Sequence, residues 1–298
     1  MDRIGEIVSF GTAICWTAGA IFFERGIKRI GVLPANFFKV VFAAVFLTLT
    51  AAIMRGVPIP VDAPARAYLF LPISGLVGFV ITDMFLFSVY GSVGPRVAML
   101  FMALSPPATA GMAYLVLGET IGSQGWLGMG LVIIGIFMTV FGRQNSLSFS
   151  KITKEDRRGY LYAAIAPICN SAGVVLSKAG LGDYHPVSGT QIRVFTAIIG
   201  FGLMSLIYDR GKGLKAAAHN REGLKFTAIG AIFGPFLGVS LLLFALQQIN
   251  AGVVSTFTGL TPVLIMIPEK FIFKKKLKPL EIAGAFIAVL GTTVFFLW

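Results

Sequence analysis

An all-α integral membrane protein, with ten transmembrane helices arranged as two inverted five-helix repeats, is the fold class this sequence predicts. Three observations predict it. The 298 residues are 56% hydrophobic and 13% charged, whereas charged residues make up about a quarter of a soluble domain; mean hydropathy is +0.84. Ten apolar runs are each long enough to cross a bilayer, which takes about 20 helical residues. Finally, VGPRVAMLFMALSPPATA (Val93 to Ala110) aligns without a gap on INAGVVSTFTGLTPVLIM (Ile249 to Met266) at an offset of 156.

The first run, 5–24, is read as a retained helix. Asp2 and Glu6 spoil the basic start of a signal peptide, and the following FERGIKR holds no small-residue cleavage site. Runs 34–54 and 186–208 open on Pro34 and Pro186, where a missing N–H costs a helix nothing. Runs 67–91, 95–117 and 124–142 complete the first half, 159–179 opens the second, and 223–247, 251–273 and 279–298 close it. Two connections are clearly polar, 142–159 and 208–223. The first lies at the midpoint, so the chain divides into a first repeat (1–143), a polar cytoplasmic linker (144–158) and a second repeat (159–298).

The repeat extends beyond the opening pair. At the same offset Phe70 meets Phe226, Gly78 meets Gly234 and Gly135 meets Gly291; at 154, TAG (Thr17 to Gly19) meets SAG (Ser171 to Gly173). Five helices is an odd number, so the second half enters the membrane from the opposite side and the repeat is inverted, with its axis in the membrane plane. One central site can then open to either side. Charge orients the molecule. Arg25, Lys28, Arg29, Arg96, Arg143 and the basic residues of 151–158, 210–225 and 270–278 fall on one side; Arg3, Arg55, Arg66 and Lys178 fall on the other. Short basic loops stay cytoplasmic, so both termini are expected outside, in a multi-pass protein of the cytoplasmic membrane.

The second half, through LLLFALQQINAGVVSTFTGLTPVLIMI and GAFIAVLGTTV, resembles the EamA domain of the drug/metabolite transporter superfamily. The first half is similar through MALSPPATAGMAYLVLGET and GLVIIGIFM, including Gly118-Glu119, which resembles the usual helix-end pair of the family. In the second half that pair has become Lys274 and Lys275, a departure that argues against a shared role for Glu119. The resemblance covers nearly the whole chain. It implies a carrier, and it leaves open amino acids, drugs, nucleotide-sugars and sugar phosphates.

Several residues are candidates for the pathway. Pro106 and Pro262 each remove a helical hydrogen bond, predicting kinks that free the carbonyls of Met102 and Thr258. Such carbonyls are tolerated at membrane depth where protein or a watery cavity satisfies them. Ser105, Thr109, Ser255 and Thr258 add hydroxyls nearby, and Thr261 precedes the second proline. Lys39 and Arg193 correspond at the 154 offset and are the cations well inside predicted spans. A buried cation costs a few kcal/mol at least, which marks it as functional by default; the alternative is that both snorkel to the interface. Asp83 can hold a substrate amine, carry a coupling proton or neutralise Lys39 or Arg193. Trp16 and Asn170 occupy matching places in the first and sixth runs, and Trp16 either stacks on substrate or fills the core. Gly128, Gly135, Gly284 and Gly291 read as close-packing scaffold.

An enzyme is not expected. His185 and His219 lie in or beside loops, Cys15 and Cys169 lie in apolar runs, and neither a metal-ligand cluster nor a phosphate-cradling run occurs. No cofactor, metal or nucleic acid is expected. The expected partners are a small-molecule substrate, the bilayer and, optionally, a coupling proton, and either a monomer or a homodimer fits. Two cations against one carboxylate favour amino acids or related zwitterions, with phosphorylated metabolites or organic anions on Lys39 and Arg193 as the alternative.

Overall fold

A computed structural model describes residues 3–93, 95–142, 154–271, 274 and 277–297. Most of the polar linker, together with Arg143, Lys275 and Trp298, lies outside the described residues. Among the described residues the helices form ten spans: Ile4–Ile30, Val32–Arg55, Ala65–Leu86, Val97–Leu117, Ser123–Gly142, Arg157–Leu181, Pro186–Asp209, Arg221–Gln248, Ala251–Phe271 and Pro279–Leu297. They are called the first to the tenth span below. Side chains such as Ile53, Leu115 and Ile207, at 81–85% exposed, cover the outside. Apolar exposure on that scale suits hydrocarbon, not water.

Neighbour relations repeat between halves. The first span packs on the eighth and the ninth; its mate, the sixth, packs on the third and the fourth. The second packs on the seventh, the fourth on the ninth and the fifth on the tenth, each a pair of mates. This is the internal two-fold of an inverted repeat. Both termini share one face, where Arg3 Nη1 donates to the Phe295 carbonyl at 2.7 Å. That terminus face also carries the loops near residues 56–64, 118–122, 182–185 and 249–250; the other, basic face carries the rest.

The two-fold extends to irregular backbone. The third span widens into a π-helix at Leu76–Ile81 and the eighth at Ile232–Gly238, 156 positions later. A π-turn skips one carbonyl and rotates everything beyond it, and such segments collect at functional places. Periodicity predicts plain helices here. The widening accompanies Pro235 in the eighth span and Pro72 just upstream in the third.

At Pro106 and Pro262 the structure corrects the expected kinks to full breaks. Helix runs to Met102, turns through Ala103 and Leu104, and restarts at Ser105. The ninth span stops at Thr258 and restarts at Thr261. Each proline thereby sits within the first turn of a new helix, where its missing N–H breaks no bond. The Thr258 carbonyl is not orphaned, since Thr261 Oγ1 donates to it at 2.9 Å.

Candidate functional site

The two breaks face each other near mid-membrane and border a central cavity of about 190 Å³. Trp16, Asn170, Ser105 and Ser255 line it near mid-membrane, Thr258, Gly259, Thr261 and Pro262 line one wall, and Met99, Met102, Ala103 and Ile136 lead toward the basic face. Among the described residues no charged side chain lines it. Toward the terminus face the floor is stitched: Thr109 Oγ1 donates to Ser255 Oγ at 3.2 Å and Ser171 Oγ donates to the Ser105 carbonyl at 3.0 Å. The Ser105 hydroxyl itself is buried and has no partner among the described residues. A buried, unpaired hydroxyl costs about 1–3 kcal/mol, so it is poised for a ligand or water. Trp16 also packs against the main apolar core, so it fills core and borders the cavity at once.

Of the sequence candidates, the structure gathers Trp16, Ser105, Asn170, Ser255, Thr258 and Pro262 around one space, with Thr109 and Pro106 just beneath and beside it. The three ionic candidates lie elsewhere. Lys39 Nζ donates to Asp83 Oδ2 at 2.9 Å, with each side chain 17% exposed, and its ammonium sits 5.7 Å from the centroid of Phe23 and 5.9 Å from that of Phe201. Asp83 thus neutralises Lys39, one of the roles open to it in the sequence.

Arg193 does not snorkel, and it forms no ion pair among the described residues. It is 3% exposed, its guanidinium stands 4.8 Å over the Phe79 ring, and its Nε and Nη1 lack hydrogen-bond partners among the described residues. Its backbone lies so near the third span that a Cβ on Gly75 would come within 2.5 Å of the Arg193 carbonyl oxygen. Lys39 and Arg193 share a register in sequence, yet only the first repeat supplies an acid; the position matching Asp83 is Val239.

Sequence reasoning missed the wall methionines, Met99 and Met102, and undervalued Glu119. Glu119 pairs with Lys178 of the sixth span and accepts from the Ala251 backbone N–H at 2.8 Å. Lys178 also donates to the Ile249 carbonyl at 2.6 Å, and Asn250 Nδ2 donates to the Thr120 carbonyl at 2.8 Å. Gln247 Nε2 donates to the Gly182 and Tyr184 carbonyls at 2.7 and 2.9 Å, satisfying that turn. A second cluster on the same face joins Arg55 to Asp62 and to Ser188 Oγ (2.6 Å), with Tyr184 donating to Asp62 at 2.9 Å. The Arg55 hydrogen bond holds the Asp62 carboxyl below the usual carboxylate range. Hydrophobicity alone carries no signal for such pairings between loops. Among the described residues no group of three His, Cys, Asp or Glu could hold a metal.

Comparison with known proteins agrees with this architecture. The chain is 26% identical over 294 residues to an uncharacterized transporter of Archaeoglobus fulgidus, covering 98% of this chain and 97% of that one. It is 26% identical over 227 residues to the uncharacterized transporter YyaM of Bacillus subtilis, covering 76% and 72% respectively. A solved crystal structure superposes with a TM-score of 0.76 over 100% of this chain and 98% of its own, at 16% identity, which speaks for the fold alone. The profile of the EamA-like transporter family matches residues 3–141 and again 157–297. With both halves matched and the two-fold in place, the chain belongs to the EamA-like transporter family.

Proposed function

We propose that this transporter carries small net-neutral metabolites, with amino acids or related zwitterions foremost, by alternating access at the central cavity. The observation that carries the reading is a cavity without charge, set between two broken spans on the internal two-fold. A net ion there would leave water for a low-dielectric space with no counter-charge. A zwitterion brings its own. Its ammonium suits the carbonyl ends of the segments that stop at Met102 and Thr258, the negative ends of their helix dipoles. Its carboxylate suits the free Ser105 hydroxyl, the Asn170 amide and the Trp16 N–H. The phosphorylated-metabolite reading needs Lys39 and Arg193 on the pathway, and neither lines the cavity. The sequence carries no nucleotide-binding run, so flux follows a gradient of substrate or of a coupling ion.

Counterflow in proteoliposomes tests the reading. Labelled amino acids are expected to exchange, and Asn170→Ala or Ser105→Ala to slow exchange by about tenfold, as for loss of a hydrogen bond to a charged group. Exchange of phosphorylated metabolites with no exchange of amino acids would refute it. Cysteines placed at Ser105 and Thr258 are expected to react with aqueous thiol reagents only in some conformations; protection in every condition would remove both from the pathway.

We place both termini outside the cytoplasm, on the strength of the basic loops on the opposite face. A C-terminal fusion to a reporter active only in the cytoplasm is therefore expected to stay dark, and strong signal would reverse the orientation.

A further inference from the structure

The cavity lies on the internal two-fold, so its walls come in mated positions, and the mates differ in chemistry. Met99 of the fourth span maps at the 156 offset onto Ser255 of the ninth, and Met102 onto Thr258. Trp16 of the first span, apolar but for its one N–H, maps at 154 onto Asn170 of the sixth. Both members of each pair line the cavity. Each time the apolar member belongs to the first repeat and the polar member to the second. Ile136 of the fifth span adds to the first-repeat wall and packs with Met99 in one apolar cluster. Ser105 against Thr261, a hydroxyl on both sides, is the exception.

The second-repeat wall is also prepared for a cation. Thr258 Oγ1 donates to the Ser255 carbonyl at 3.1 Å, and Thr261 Oγ1 to the Thr258 carbonyl at 2.9 Å. Each hydroxyl proton is thereby committed to backbone, which leaves the oxygen as an acceptor. Acceptors suit an ammonium. The thioethers opposite offer dispersion and only weak acceptors.

We infer that the substrate is an amphipathic zwitterion: an α-amino acid with an apolar side chain of the size of leucine, methionine or phenylalanine. Its charged head lies between Ser105 and the second-repeat wall, and its side chain lies on Met99, Met102 and Ile136. The inference rests on the zwitterion reading and narrows it. Burying an apolar side chain on that wall is favourable in proportion to its area. A polar side chain of the same shape would leave water for neighbours that cannot pair with it. Methionine is unbranched and adapts to the shape laid against it, so the wall selects polarity more than outline.

Leucine and asparagine test this, because their side chains are nearly alike in shape, neither amino acid carries net charge, and they differ chiefly in polarity. The full chain in proteoliposomes is assayed by counterflow with each labelled amino acid in turn, at equal and sub-saturating concentration. Leucine is expected to exchange at least about tenfold faster. Met99→Ser/Met102→Thr gives the first-repeat wall the side chains of its mates, and is expected to lower the leucine-to-asparagine ratio about tenfold. The ratio is taken within one preparation, so it does not depend on how much of the variant folds. Met102→Thr alone is expected to move it in the same direction, which keeps the test valid if the double variant is lost. If asparagine matches leucine in the parent, or another amino acid exchanges and leucine does not, the amphipathic assignment is wrong and the zwitterion reading stands. A ratio unmoved by the variants also overturns the assignment. If no amino acid exchanges at all, the zwitterion reading fails with it.

Discussion

Gly284→Leu is expected to leave little folded protein in the membrane. The fifth and tenth spans cross so closely that a Cβ on Gly284 would lie 2.6 Å from the Gly135 carbonyl oxygen and 2.6 Å from the Thr139 nitrogen. Its neighbour across the contact is as tight, with a Cβ on Gly135 falling 2.5 Å from the Ala288 nitrogen. These are backbone atoms, so no side chain can turn aside. The spans must separate, forfeiting the dispersion contacts that hold membrane helices together when lipid is as apolar as leucine. Overpacking a fitted core costs about 1–3 kcal/mol when side chains yield, and backbone separation puts this change at or above about 3 kcal/mol. A loss of that size lowers the melting temperature by on the order of 10 °C. Gly130→Leu on the same fifth span is the control, because nothing lies within 4 Å of its added Cβ. The readouts are yield of monodisperse protein and melting temperature in detergent. Equal stability of the Gly284 and Gly130 variants would mean that the two spans do not meet there.

That glycine contact was legible in the sequence, and the reason shows what else was. Gly128 and Gly135, like Gly284 and Gly291, stand seven apart, which puts each pair on one helix face. Small residues on a common face of a membrane helix imply a close neighbour. The ten spans and the inverted repeat were legible for an equally local reason, since length of apolar run and ungapped offset need no knowledge of packing. Pro106 and Pro262 marked the right places but the wrong geometry. Proline reports that a hydrogen bond is missing, and a break that places it in the first turn of a new helix satisfies that as well as a kink does. The π-segments left no periodic trace. Nor was it legible that Lys39 would meet Asp83 while Arg193 met a glycine-faced helix and an aromatic ring. Each residue turns a helix by about 100°, and the neighbour met at that angle is set by the whole bundle. Glu119 and Lys178 are a further case, a loop residue joined to the end of a helix in the other repeat once the halves have packed.

Asp83→Asn is expected to destabilise the protein by about 2–3 kcal/mol, because it strands the Lys39 ammonium among apolar and aromatic neighbours. Breaking one partner of a buried pair typically costs about 3–5 kcal/mol, and 17% exposure of each side chain lowers the figure through partial hydration. Phe23 and Phe201 each lie within 6 Å of the ammonium and soften the loss by cation–π attraction without replacing the carboxylate. The double variant Lys39→Met/Asp83→Leu removes both charges while keeping similar volume, and is expected to match the parent within about 1 kcal/mol, as exchanges of a buried pair for packed apolar residues often do. Thermal melting in detergent measures the cycle, and the coupling between the two sites should recover most of the single-variant loss. Exchange activity decides the role. The pair stands off the cavity, so the double variant is expected to transport zwitterions with near-parental KM. Restored melting temperature with abolished exchange would instead make Asp83 a substrate or proton ligand, and would move the pathway from the wall of Trp16 and Asn170 toward the second and third spans.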